Sequence, residues 1–175
     1  RAWVTNGLVH AVGDNTRPVL RNSQNDMWPY ITTMAANGYD SFTVLPRWAT
    51  RIYYNCDLPS CTVAEWIATS AGSGDYNNLL ATEKADTMRH LFGLYHDAYM
   101  FHQANLRQTD VPNTTLNGVS SQLSMFQTWV EMNVAEFTRL VNWPIITLNQ
   151  ADAYTQFTAR MARDACGYGI TYTSS

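Results

Sequence analysis

A strand-like run, a helical stretch and a second strand-like run follow one another at the start of this chain, and that succession restricts its fold. Ala2 to Ala11 mixes small apolar residues with Thr, Asn and His and reads as a strand. The turn residues Gly13-Asp14-Asn15-Thr16 lead to Pro18-Val19-Leu20-Arg21, a short strand candidate with its proline at the start. A helix is expected from Trp28 to Asn37, with Asp26 as N-cap, Pro29 in the first turn and Gly38 in the left-handed C-terminal position. Ser41-Phe42-Thr43-Val44-Leu45 is rich in strand formers and stops at Pro46. Strand, helix and strand in series are the unit of an α/β sheet, the fold class expected here.

The remainder keeps that alternation. Val63 to Ser70 reads as a short helix with Thr62 near its cap, ended by Gly72-Ser73-Gly74, and a longer helix is expected from Leu79 to Leu94. Arg107 to Val119 reads as a long polar loop, placed to act as a lid. Between Ser120 and Val141 the residues Leu123, Phe126, Val130, Val134, Phe137 and Val141 recur at helical steps and read as a core stripe. Ile145 to Leu148 reads as a buried strand. Asn149 caps a helix running to Cys166, Gly167 ends it, and Gly169 to Thr173 is a last strand candidate. No repeat or linker interrupts the 175 residues, so one structural unit is expected.

Charge and composition exclude some functions. Charged residues make up 14% of the chain, Lys84 is the one lysine and the formal charge is −3, so no basic patch for nucleic acid is expected. No apolar run is long enough to span a bilayer. Aromatics reach 13%, a composition suited to a secreted protein and to stacking on sugar C–H faces. Cys56 and Cys61 stand close enough for a disulfide, although the spacing is also compatible with half a metal site; no second Cys/His pair at zinc spacing accompanies them. Cys166 is left over. Asn113-Thr114-Thr115 is a glycosylation sequon.

The chemistry-bearing stretch is Ala98 to Arg107, an apolar run that delivers His102 and then turns polar. A residue leaving a strand at the mouth of an α/β fold is placed for catalysis, whereas a lone histidine is also a common structural residue under a loop. Met100-Phe101-His102 resembles the Leu-x-His motif of NodB-type polysaccharide deacetylases, and the string MFHQANLR is similar to the fungal branch that deacetylates galactosaminogalactan. The resemblance implies that His102 is the general acid towards the amine leaving group and that Met100 walls the acetyl pocket. It also implies that Arg21, chosen over Arg17, orients the catalytic carboxylate, that Trp48 shapes the pocket, and that Arg47 reaches a carboxylate beside it.

The same resemblance implies the later half of a distorted (β/α) barrel and a divalent metal, expected to be zinc. The family's metal motifs are absent from this sequence: His90, His96 and Asp97 lack a fixed ligand geometry, and Asp14 sits in a common turn. The expectation is therefore the C-terminal part of a single catalytic domain, residues 1–175, inactive alone and drawing its metal ligands from a missing N-terminal part. The expected substrate is an N-acetylated amino-sugar polysaccharide, and the expected location is extracellular or cell wall. The rival reading is a secreted, non-catalytic carbohydrate-binding or structural domain with Trp48, Trp66 or Tyr99 as a stacking platform.

Overall fold

The structure, a computed structural model, describes residues 2–14, 21–167, 169 and 171–173. Along the chain the elements are α1 (Ala2–Thr5), β1 (His10–Asp14), β2 (Tyr30–Ile31), α2 (Met34–Asn37), β3 (Thr43–Ala49), α3 (Pro59–Thr69), α4 (Tyr76–Phe92) and β4 (Ala98–Met100). A 3₁₀ turn (Gln103–Leu106), β5 (Asn113–Leu116), β6 (Val119–Gln122), α5 (Met125–Leu140) and α6 (Gln150–Ala165) complete them. The chain packs as two compact units, one of Arg1–Trp48, His96–Ala98 and Ile146–Ser175, the other of Ala49–Tyr95 and Tyr99–Ile145. Two of the crossings fall inside β3 and β4, where no linker composition marks them.

In the first unit β1 and β3 are parallel, His10 opposite Thr43 and Asp14 opposite Arg47, while β2 pairs antiparallel with β3 through Tyr30 and Val44. The α/β pattern read from the sequence is present, with shifted boundaries. The strand expected from Ala2 begins only at His10, after the helical turn α1. Most of the run expected at 18–21 lies outside the described residues, and Arg21 stands in a bend. The helix expected from Trp28 shrinks to α2, because the strand formers Tyr30 and Ile31 are taken into the sheet. Thr33 rather than Asp26 caps it, accepting from the N–H of Ala36 at 3.2 Å, and Gly38 ends it at φ 69° as expected.

β3 continues through Pro46 instead of stopping there. Pro46 lies beyond the β2 pairing, which reaches only Val44, while β1 continues alongside with Gly13 opposite Pro46. Phe42, Leu45 and the α6 residue Phe157 are buried, and His10 stacks on Tyr154 at 4.6 Å. Asn149 caps α6 as the sequence predicts, accepting from the N–H of Asp152 at 2.9 Å, and Gly167 follows at φ 62°. The buried strand expected at 145–148 is absent; Ile146 is 71% exposed, since apolar character alone supplies no ladder partner. Gly169 and residues 171–173 form no strand, and Tyr168 and Ile170 lie outside the described residues.

The second unit has a helical core. Ile52, Cys56, Trp66 of α3, Leu79 and Leu80 of α4, and Met125, Trp129 and Met132 of α5 are buried together. α3 starts earlier than expected, at Pro59, so Thr62 lies inside it; its hydroxyl donates to the Arg51 carbonyl at 2.9 Å. α4 starts at Tyr76 with Asp75 as cap in a capping box with Asn78. The polar loop expected over 107–119 holds the hairpin β5–β6 instead, turned by Asn117 at φ 50° and Gly118 at φ 81°. Two left-handed residues suit a type I′ turn, for which Asn-Gly is the favoured pair. α5 consequently begins at Met125, capped by Ser124, and its buried face is Met125, Thr128, Trp129, Met132, Asn133 and Phe137. Val134, assigned to the core stripe from the sequence, is 40% exposed.

Candidate active site

The exit of β4 is where the second unit presents chemistry. Alternation along an extended chain turns Tyr99 and Phe101 to the core, where their rings stand 4.7 and 5.1 Å from that of Trp129. Met100, half-buried, and His102, exposed, fall on the opposite side. His102 lies beyond the strand end, as the N-cap residue of the 3₁₀ turn, in extended conformation. Its backbone N–H donates to Asn105 Oδ1 at 2.8 Å.

Asn105 is fully buried, and its amide also donates to the carbonyls of Tyr53 at 2.8 Å and Cys56 at 2.9 Å. One side chain therefore fastens the backbone under His102 to the segment 53–56. A disulfide joins Cys56 to Cys61 and closes that segment against α3. Arg107 reaches into the same loop, with NH1 2.6 Å from Asp57, while Nε and NH2 grip Asp110 as a bidentate pair. Those hydrogen bonds hold Asp110 below the usual carboxylate range and raise Arg107. The ring of Tyr54 stands edge-on to the His102 imidazole, centroids 5.7 Å apart and planes at 65°.

Within MFHQANLR, then, Phe101 packs, Asn105 ties backbone and Arg107 forms ion pairs. The exposed imidazole of His102 is the group in that string whose side chain faces solvent with acid–base chemistry to offer. Sequence reasoning missed Asn105 and Tyr54. The first lies inside the specific string, though its burial arises from contacts with Tyr53 and Cys56; nothing local in the sequence marks the second.

The other assigned residues belong to the first unit, apart from Asn113 of the sequon. Arg47 and Trp48 are consecutive, half-buried positions on β3, and Arg47 Nε is buried without a hydrogen-bond partner among the described residues. Arg21 NH1 is 3.8 Å from Asp26, both side chains largely exposed. Asn113 is exposed on β5. Of the stacking platforms considered, Trp66 is buried at 6% exposure, with Gly72 lying where an added Cβ would meet its ring. Tyr99 directs its hydroxyl to His90 Nδ1 at 2.7 Å.

A family model described as the Agd3 deacetylase domain matches residues 1–171. The chain belongs to the Agd3 deacetylase domain family. Among solved structures, the crystal structure of Agd3, described as a novel carbohydrate deacetylase, is 60% identical over 99% of this chain, with a TM-score of 0.93. The chain spans 26% of that chain's length. No curated protein matches. The mixed α/β fold is consistent with part of a NodB-like barrel, as the resemblance of MFHQANLR implied.

A divalent metal is expected for such a family. Among the described residues, no group of three or more His, Cys, Asp or Glu side chains could hold an ion. His90 is buried with Nδ1 engaged by Tyr99, and His96 packs edge-on to Phe157 at 5.8 Å. Burial, and then the charge of Arg160, lower the pKa of His96. No helix among the described residues is long and apolar enough to cross a membrane.

Proposed function

We propose that this chain is the later part of the catalytic domain of a polysaccharide deacetylase, and that His102 is its general acid. The observation that carries the reading is the exposed imidazole on an anchored backbone at the exit of β4, within the string that resembles the family's. Removing an N-acetyl group leaves an amine that departs poorly unless protonated, and a histidine is suited to deliver that proton near neutral pH. Asn105 fixes the backbone from which the imidazole projects, so less motion has to be frozen out when substrate arrives.

The substrate class proposed is an N-acetylated hexosamine polymer of the galactosaminogalactan type. Met100 and Trp48 are assigned to the acetyl pocket, Arg47 to a substrate-side contact and Arg21 to orientation of the base, each from the family pattern. The family also supports metal dependence, with zinc as the proposed ion and ligands mainly from the longer protein. The Cys56–Cys61 disulfide supports an oxidising location, extracellular or cell wall, and the exposure of Asn113 supports glycosylation there.

The test is acetate release from an N-acetylated galactosamine polymer by the full-length protein. The wild type is expected to release acetate. His102→Ala is expected to lower turnover on the order of a hundredfold or more. Unchanged release by the variant makes His102 structural, and no release by the wild type from any amino-sugar polymer supports a non-catalytic carbohydrate-binding domain instead.

A further inference from the structure

Tyr54 lies outside the core, yet the chain on both sides of it is anchored. Its side chain is 67% exposed. The preceding residue, Tyr53, donates its N–H to Thr62 Oγ1 at 3.1 Å and gives its carbonyl to Asn105 at 2.8 Å. Its phenol is hydrogen-bonded with Thr69 at 2.8 Å and Ser70 at 2.6 Å. Two residues after Tyr54, Cys56 is buried, bonded to Cys61, and gives its carbonyl to the same Asn105 amide. A single exposed aromatic is ordinary on a protein surface. This one is held on a fixed backbone beside the exposed His102, and one buried amide secures the segments that carry both rings.

We infer that Tyr54 is the stacking face for the amino-sugar ring whose nitrogen His102 serves. The inference rests on the reading of His102 as general acid. A pyranose presents flat patches of C–H groups with slightly positive hydrogens, which complement the negative face of an aromatic ring. A tyrosine offers that face with few torsions to freeze, and a ring on an anchored loop loses little further freedom on binding. The two rings are in edge-to-face contact, centroids 5.7 Å apart, so a sugar stacked on Tyr54 lies beside the imidazole. A sugar lying on Tyr54 thus has its substituents within reach of His102, and the residue selects for substrates with an apolar pyranose face. Trp66 and Tyr99 are withdrawn from this role by burial and by the His90 contact.

Steady-state acetate release from N-acetylgalactosamine oligosaccharides by the full-length protein tests the assignment, with melting temperatures recorded for each variant. Tyr54→Ala is expected to raise KM on the order of fivefold to tenfold with kcat retained, the signature of lost ground-state binding. Tyr54→Phe, which keeps the ring, is expected to rescue KM. His102→Ala is expected to lose kcat instead. Wild-type KM in Tyr54→Ala alongside a disabled His102→Ala overturns the stacking role and leaves the acid role standing. Full turnover in His102→Ala overturns the acid reading itself, and the stacking inference with it. A failure of Tyr54→Phe to rescue, or a fall in activity that follows the melting temperature, also overturns the assignment.

Discussion

Two polar clusters in the second unit are each built on one buried polar side chain and differ in what they leave open. At the first, Glu83 of α4 is 3% exposed, and both carboxylate oxygens are occupied. Oε1 accepts from the Arg51 N–H at 2.9 Å and its guanidinium at 3.0 Å, and Oε2 accepts from the Trp129 indole at 3.1 Å. Asp86 holds the same guanidinium at 2.6 Å. Burial pushes the Glu83 carboxyl above its ordinary range, against the pull of those donors. Burial works to lower Arg51, but the hydrogen bonds and charges of Glu83 and Asp86 outweigh it. At the second cluster, Asn105 is the buried, fully used group, and His102 and Tyr54 stand in the open.

A perturbed carboxylate beside an arginine is a functional-site candidate, although structural ion-pair networks perturb pKa values as well. Arg51 even borders an open depression lined by Trp66, Gly72, Asn78 and Thr82. The difference from the His102 region lies in what the groups can still do. Glu83 joins α4, α5 and the turn after β3, and the oxygens that would do chemistry are already committed to that task. His102 is held through its backbone, and its side chain stands exposed. Satisfaction of donors and acceptors, more than the direction of a pKa shift, separates scaffold from candidate site.

That contrast can be broken by substitution. Glu83→Ala should be the most damaging change, about 3–5 kcal/mol, because it leaves the Arg51 N–H and the buried Trp129 indole without an acceptor and the Arg51 cation with Asp86 alone. A denaturant melt that moves by less than about 1 kcal/mol would make the cluster a surface-like ion pair rather than scaffold. Asn105→Ala should follow at about 3 kcal/mol, since the Tyr53 and Cys56 carbonyls lose their donor, and it should lower turnover in the full-length protein as the His102 backbone loosens. Stability lost with turnover intact would separate Asn105 from the site.

Cys56→Ser should cost about 2 kcal/mol, the small value expected for so short a disulfide loop. Reducing agent should produce a similar shift in the wild type and none in the variant. The smallest effect belongs to Asp110. A carboxyl held below its unfolded value by Arg107 contributes stability that is present above the ordinary carboxylate range and lost as pH falls through its depressed value. Acid titration of melting temperature should therefore be slightly shallower in Asp110→Asn, and a steeper curve contradicts the assigned direction.

Much of the scaffold was legible because its signals are local. Asn149, Gly38 and Gly167 fix chain conformation within a turn of their own positions, and they do so here. The Cys56–Cys61 pair was legible from spacing. The hairpin β5–β6 was hidden by its polar composition, although Asn117-Gly118 announces the turn. On α5 the buried face includes Thr128 and Asn133, so a stripe drawn through aliphatic residues alone lands partly on solvent. His102 was found through the family string. Tyr54 and Glu83 were not, because exposure on an anchored loop and occupancy of a buried carboxylate arise only from contacts between distant segments.

The central claim is that the His102 side chain supplies chemistry while its backbone belongs to the scaffold. The measurement that tests it most directly is the turnover number for acetate release by full-length His102→Ala, taken on a sample whose melting temperature matches the wild type. The account predicts a loss on the order of a hundredfold or more at unchanged stability. Wild-type turnover in that folded variant would contradict it.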